Sequence, residues 1–283
     1  MISHSLSRRR FIALSAGTLA ATTLARAFPL GLPLGMQLYS VRTMLPKDFA
    51  GTLKQVGALG YKEVEAAGFY DHPVDEVKAA MQAAGLNCVS AHYPLGPLKA
   101  KLEDTISYGK SLGLQYIVCS SAMHKDPAAG HGPLTLDDWK WVADQFNQIG
   151  EKVNAAGMKF AYHNHTPEFT AIDGTLPWEL LEKNTDPSKV NFEMDCGWVI
   201  VAGQDPIPFL KKYPTRIVML HVKDFKDNKP PSVPLGTGAI DYKPIFVAAK
   251  HAKIRHIFVE QEETQTTMLD SLAIDAKYMA QFK

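Results

Sequence analysis

Short apolar runs alternate with amphipathic stretches along most of this chain, and the alternation repeats eight times. The apolar runs read as strands at Leu34–Ser40, Lys62–Ala66, Cys88–His92, Tyr116–Ser120, Lys159–His163, Val190–Asp195, Ile217–His221 and His256–Glu260. Between and after them, helical patterning covers Phe49–Leu59, Val74–Ala84, Lys101–Leu112, Leu136–Ala156, Pro177–Lys183, Pro206–Lys212, Tyr242–Lys250 and Thr267–Gln281. Gly85, Gly113 and Gly157 each stop a helical stretch just before the next strand, as the connection from helix to strand requires. Strand followed by helix, eight times over, predicts a parallel sheet, and eight such units close into a (β/α)8 TIM barrel. An open doubly wound sheet is the nearest alternative, but no G-x-G-x-x-G follows the first strand.

Polar groups gather at the carboxyl ends of the last four strands: Tyr162-His163-Asn164-His165, Glu193-Met194-Asp195, Leu220-His221-Val222-Lys223-Asp224 and Val259-Glu260. A parallel barrel brings those ends around one mouth, which is where its chemistry sits. Side chains alternate along a strand, so His163 shares a face with His165, and Glu193 with Asp195. If His163, Asp195, His221 and Glu260 point inward, they converge as ligands for one divalent cation, and imidazole with carboxylate suits Mn²⁺, Zn²⁺ or Co²⁺. Singly, each residue has a plainer reading, a structural histidine or a helix N-cap. Recurrence on four adjacent strands favours the site.

The first 27 residues read as a separate unit. Ser7-Arg8-Arg9-Arg10-Phe11-Ile12 places paired arginines before the apolar stretch Ile12–Leu24, and Ala25-Arg26-Ala27 offers a cleavage site. This predicts a twin-arginine signal over 1–27, a barrel domain over 28–283, and export of a folded protein to the periplasm. Folded export fits a metalloenzyme that loads its ion before translocation. The remainder, about 255 residues, is the usual size of one barrel. A formal charge of +1 with signs interspersed gives no basic patch for nucleic acid. No second long apolar run follows, so no lasting membrane insertion is expected. Cys88, Cys119 and Cys196 are odd in number and fall on or just after strands, which predicts buried free thiols. Homo-oligomerisation stays open.

The motifs together resemble the sugar isomerases and epimerases of the xylose isomerase-like barrel superfamily, which also contains DNA-repair endonucleases. The resemblance runs through Gln37-Leu38-Tyr39-Ser40, Gly60-Tyr61-Lys62-Glu63-Val64-Glu65, the His-Asn-His segment, Met194-Asp195-Cys196-Gly197-Trp198, Leu220–Asp224, Leu235-Gly236-Thr237-Gly238 and Val259-Glu260. It implies one metal ion, Mn²⁺ first with Zn²⁺, Co²⁺ or Mg²⁺ as alternatives, held by Asp195, His221, Glu260 and a fifth-strand group. Relatives carry Glu at that last position. Here His163 stands there, with His165 as the other possibility, and Glu168 is the nearest carboxylate that could serve as ligand or base. Lys223 or Asp224 is expected to meet a substrate oxygen. Trp198 replaces a metal-binding histidine of the nucleases and offers a stacking face for a sugar ring. Tyr39, Glu65, His92 and His165 are further pocket candidates.

The function this implies is metal-assisted removal of the proton α to a carbonyl in a non-phosphorylated carbohydrate, giving an isomerase or epimerase. Glu260 is the first candidate base, with His163 or Glu168 as its partner. The same intermediate can expel a β leaving group, so a keto-glycoside lyase or hydrolase is the alternative. A sugar-binding barrel without catalysis is a third reading, and a nuclease is opposed by Trp198 and by the charge.

Overall fold

A computed structural model describes residues 28–130 and 132–282, so the expected signal segment lies outside the described residues. Eight parallel strands form the barrel: β1 (Gly35–Gln37), β2 (Glu63–Ala66), β3 (Asn87–Pro94), β4 (Tyr116–Ser121), β5 (Lys159–His163), β6 (Val190–Asp195), β7 (Ile217–Val222) and β8 (His256–Val259). Each pairs with the next, and β8 closes on β1 through Gly35 opposite Phe258 and Met36 opposite Val259. The predicted strand–helix alternation is therefore a closed barrel.

Helices cover the outside: α1 (Phe49–Ala58), α2 (Val74–Ala84), α3 (Leu95–Ala100), α4 (Leu102–Leu112), α5 (Leu136–Ala155), α6 (Pro177–Asn184), α7 (Cys196–Val201), α8 (Pro206–Lys212), α9 (Tyr242–Ala249) and α10 (Met268–Met279). Their apolar faces pack on the outward side chains of the strands in one continuous core that includes Trp139, Phe146, Trp178 and Phe192. The longest, α5, starts with a reciprocal cap in which Thr135 and Asp138 satisfy each other's backbone N–H groups. Gly85 and Gly113 end α2 and α4 at φ +65° and +91°, a left-handed turn that glycine adopts without a Cβ penalty.

A second, smaller apolar cluster lies within the barrel: Val89, Tyr116, Val118, Ala161, Val218, Met219 and Phe258. It fills the interior beneath the carboxyl ends, as the inward layers of such barrels do. Three local features depart from expectation. Strand one ends at Gln37, not Ser40, because the Gln37 side chain accepts from Tyr39 N at 3.0 Å and turns Leu38–Val41 into a 3₁₀ helix. A short antiparallel ladder pairs Asp224–Phe225 with Ser232–Val233. Helix α7 begins at once after β6, with Asp195 as its N-cap. Cys88, Cys119 and Cys196 are buried free thiols. Among the described residues no helix is long and apolar enough to cross a membrane.

Candidate active site

His163 follows Ala161 on the inward face of β5, and His221 follows Met219 on that of β7, so both imidazoles stand on top of the apolar layer. Glu65 from β2, His92 from β3 and Glu193 and Asp195 from β6 join them, with Glu260 just past β8. The contacts are close. His92 Nε2 lies 2.6 Å from Glu65 Oε1 and 2.8 Å from Glu193 Oε2. His163 Nδ1 lies 3.0 Å from Glu193 Oε2. His221 Nε2 reaches Glu65 Oε1 at 2.8 Å, while its Nδ1 reaches Glu260 Oε2 at 3.0 Å. Lys223, 1% exposed, places Nζ 3.3 Å from Asp195 Oδ2, 3.0 Å from Glu260 Oε2 and 2.5 Å from Glu262 Oε1. Its ammonium also lies 4.7 Å from the centre of the Trp198 ring, a cation–π distance.

Four buried carboxylates, Glu65, Glu193, Asp195 and Glu260, thus share a dry space with three imidazoles and one lysine. Charges there must be balanced locally, because water cannot do it. Burial opposes protonation of His92, but Glu65 and Glu193 outweigh it and bring its pKa to about 9. Burial likewise opposes the charge on His221 and is overcome by Glu193, Glu260 and Glu65, which hold its pKa well above the ordinary histidine value. His163 goes the other way: burial and the neighbouring His221 hold it well below that value, so its imidazole is neutral. Burial works against the charged Glu260 carboxylate, and Lys223 and His221 more than offset it, keeping Glu260 ionised.

The donor set fits a divalent cation. Donor atoms of His163, Asp195, His221 and Glu260 all lie within 4.8 Å of one another, as do those of His92, His163, Glu193 and His221. Glu65 Oε2 and Glu193 Oε1 are buried without a hydrogen-bond partner, and Asp195 Oδ2 faces only the Lys223 ammonium at 3.3 Å; an acceptor left unpartnered is expensive unless a cation meets it. Asp195 shows how one residue serves two tasks. Its Oδ1 accepts from Trp198 N at 2.9 Å as the cap of α7, leaving Oδ2 aimed at the cluster. Asn164 fixes its backbone, accepting from Asp195 N at 3.0 Å.

Of the residues read from sequence, Glu65, His92, His163, Asp195, His221, Lys223 and Glu260 are brought together. His165 and Trp198 form the next shell, with His165 stacked edge-on to His163 at 5.0 Å and 6.0 Å from the Trp198 ring. Two are not part of the cluster. Glu168 is buried, but its Oε1 accepts from Tyr162 OH and its Oε2 from His165 N at 2.9 Å. Tyr162 points to the opposite face of β5 from His163, so the Glu168 carboxylate is engaged on that side and does not join the cluster. Tyr39 is 42% exposed on the 3₁₀ turn with Arg42 over its ring; Gln37 is the strand-one group that reaches the site, donating to Glu65 Oε1 at 2.8 Å. Asp224 binds backbone N–H groups, and Lys223 is the member of that pair that joins the cluster. Glu193 was missed as a site residue, although its position two before Asp195 puts it on the same inward face, one layer deeper.

The family model for the xylose isomerase-like TIM barrel matches residues 53–278. This chain belongs to that family. Among family relatives, the inosose dehydratase of Geobacillus thermodenitrificans is 26% identical over 247 residues, spanning 76% of this chain and 82% of its own. A sugar phosphate isomerase/epimerase from Parabacteroides distasonis superposes with a TM-score of 0.75 at 28% identity, covering 87% of this chain and 96% of its own. The IOLI protein, whose crystal structure has a bound zinc atom, shares the fold at a TM-score of 0.70 and 15% identity, over 88% of this chain and 97% of its own.

Proposed function

We propose that this chain is a divalent-metal-dependent enzyme that removes the proton α to a carbonyl of a non-phosphorylated keto-sugar, acting as an isomerase or epimerase. The observation that carries the reading is the buried cluster of carboxylates, imidazoles and Lys223 at the carboxyl end of the barrel, with unpartnered oxygens aimed inward. The cation, held by His163, Asp195, His221 and Glu260 with Mn²⁺ as first choice, would polarise the carbonyl and acidify the adjacent C–H when bound.

The protein's own groups do the rest. Glu260 is an ionised carboxylate with its side chain 8% exposed at the mouth, so it is the base we assign. Lys223 Nζ, 3.0 Å from it, is placed to donate hydrogen bonds to the oxygen that gains negative charge. His92, the most open imidazole of the cluster at 11% side-chain exposure, is assigned the return of a proton. The excess of carboxylates around Lys223 disfavours a phosphoryl group, which supports a free or glycosidic sugar. Such a substrate also accords with export through a twin-arginine signal to the periplasm, which is part of this proposal.

A second reading is elimination. The inosose dehydratases among the relatives favour it, because expelling a β hydroxyl or alkoxyl follows from the same carbanionic intermediate. The test is metal content followed by exchange. About one equivalent of metal is expected in the wild-type protein and far less in His221→Ala. Solvent deuterium should enter a keto-sugar substrate, slowed on the order of a hundredfold or more by metal removal or by Glu260→Gln. Equal exchange with and without metal refutes the mechanism. An unsaturated ketone as product, instead of an isomer, decides for elimination.

A further inference from the structure

Beside the cluster, the loops after β4 and β5 line a partly open cavity of about 930 Å³. Its walls include Met123, Pro133, Leu134, Trp139 and Ile172, together with His165 and Glu168. His165 joins the two spaces, its ring 5.0 Å from that of His163. The volume is at the upper end of the roughly 300–1,000 Å³ that encloses drug-sized ligands.

Among the described residues, Glu168, His124 and Thr170 of this wall already have partners. Glu168 is bound by Tyr162 and His165 N. His124 has Nδ1 3.1 Å from Asp138 and Nε2 2.8 Å from Gly132 O. Thr170 Oγ1 donates to Thr166 O at 3.2 Å. What the described wall offers a ligand is mainly apolar surface, proline, methionine, leucine, isoleucine and an indole, with Ser121, Thr166 and the His165 ring as its polar points. Such a wall recognises a hydrocarbon or aromatic group and gives little to a second sugar, whose hydroxyls would find few free partners.

We propose that this cavity is the subsite for an apolar, ring-sized aglycone, so that the substrate is a keto-glycoside whose ring ketone sits at the cluster while its aglycone lies between Met123, Leu134 and Ile172. The proposal rests on the carbohydrate reading above and narrows it from free sugars to apolar glycosides. The polar cluster and the apolar cavity meet at His165, which matches a ligand polar at one end and apolar at the other. A wall at that place does nothing for a free keto-hexose.

The test is calorimetric binding to the metal-loaded full-length protein, with metal content measured on the same sample. The probes are 4-nitrophenyl glucoside and methyl glucoside, which carry a hydroxyl in place of the ring ketone and so bind without being turned over, and 4-nitrophenol alone. The aryl glucoside is expected to bind on the order of tenfold to a hundredfold more tightly than the methyl glucoside. Ile172→Glu and Met123→Glu, each half-buried on the wall, should abolish that advantage and leave methyl glucoside affinity and metal content unchanged. The Glu variants act at the cavity edge, and Ile172→Ala serves as a milder version with a smaller loss in the same direction. Equal affinity for the two glucosides overturns the proposal, as does an advantage that survives every wall variant or binding of 4-nitrophenol as tight as that of its glucoside. Absence of metal, by contrast, counts against the metal reading and not against the subsite.

Discussion

Asp224 provides the sharpest test of how the site is supported. Its buried carboxylate accepts four backbone N–H groups: Phe225 at 2.9 Å and Ile240 at 3.1 Å on Oδ1, Gly236 at 2.9 Å and Gly238 at 3.0 Å on Oδ2. The loop 234–240 is thereby wrapped around one charged group next to Lys223. Asp224→Asn keeps the shape but replaces one oxygen with a donor. The amide oxygen is expected to keep the buried pair Phe225 and Ile240, and its NH₂ then faces the Gly236 and Gly238 amides. Two charge-assisted bonds are lost, each worth roughly 1.5–3 kcal/mol. Because Gly236 is exposed and Gly238 half-buried, water recovers part, leaving a net cost of about 2–4 kcal/mol. For a chain of this size that lowers Tm by at least about 4 °C. Thermal and urea unfolding read the cost, and hydrogen exchange should show the Gly236 and Gly238 amides losing protection before the rest. Gly238→Ala should act similarly, since an added Cβ would lie 2.2 Å from Asp224 Oδ1. A shift below about 1 kcal/mol with unchanged exchange would mean that the carboxylate does not hold this loop.

Other outcomes follow from the same geometry. Burial first, then the nearby Asp224 charge, push Asp275 up to about 7, against the Leu235 N–H that favours its ionised form. A raised acid binds its proton more tightly when folded, so its contribution to stability is full at low pH and is lost as pH rises to about 7. Wild-type stability should therefore lose about 2–3 kcal/mol from this group between pH 5 and 8, a slope that Asp275→Asn removes in urea titrations at both pH values. Glu168→Gln should keep the full metal equivalent, because its carboxylate faces Tyr162 and not the cluster; metal loss in that variant contradicts this placement. His163→Glu puts a second carboxylate beside Glu193, 3.0 Å from the present Nδ1 contact. The metal-free variant should melt several degrees lower, with a larger rise in Tm on adding Mn²⁺; an unchanged metal-free Tm counts against His163 as a neutral group in a crowded anionic site.

The barrel was legible because its signal is periodic: each strand is a short apolar run and each helix an amphipathic one, and eight units leave few ways to close. The gathering of polar groups at the ends of β5 to β8 was legible for a related reason, since a polar residue ending an apolar run in a parallel barrel can only face the mouth or the outside. What escaped depended on side chains meeting across sequence. Nothing local in Gln37-Leu38-Tyr39 says that the glutamine will cap a 3₁₀ turn and send the tyrosine outward. Glu168 looked like a substitute ligand by distance along the chain, but the strand's alternation had already assigned its partner Tyr162 to the other face. Glu193 was placed on Asp195's face but not chosen as a site residue, because only the three histidines that meet it across the barrel give it a role. The cavity between the β4 and β5 loops has no sequence periodicity at all.

The apolar layer of Val89, Val118, Ala161, Met219 and Phe258 turns the barrel into a blind well. Anything that reaches the cluster must leave by the mouth through which it came. Entry of the next molecule and exit of the last therefore compete for one passage, and a bulky appendage has no route through the floor. It must lie sideways, along the loops at the rim.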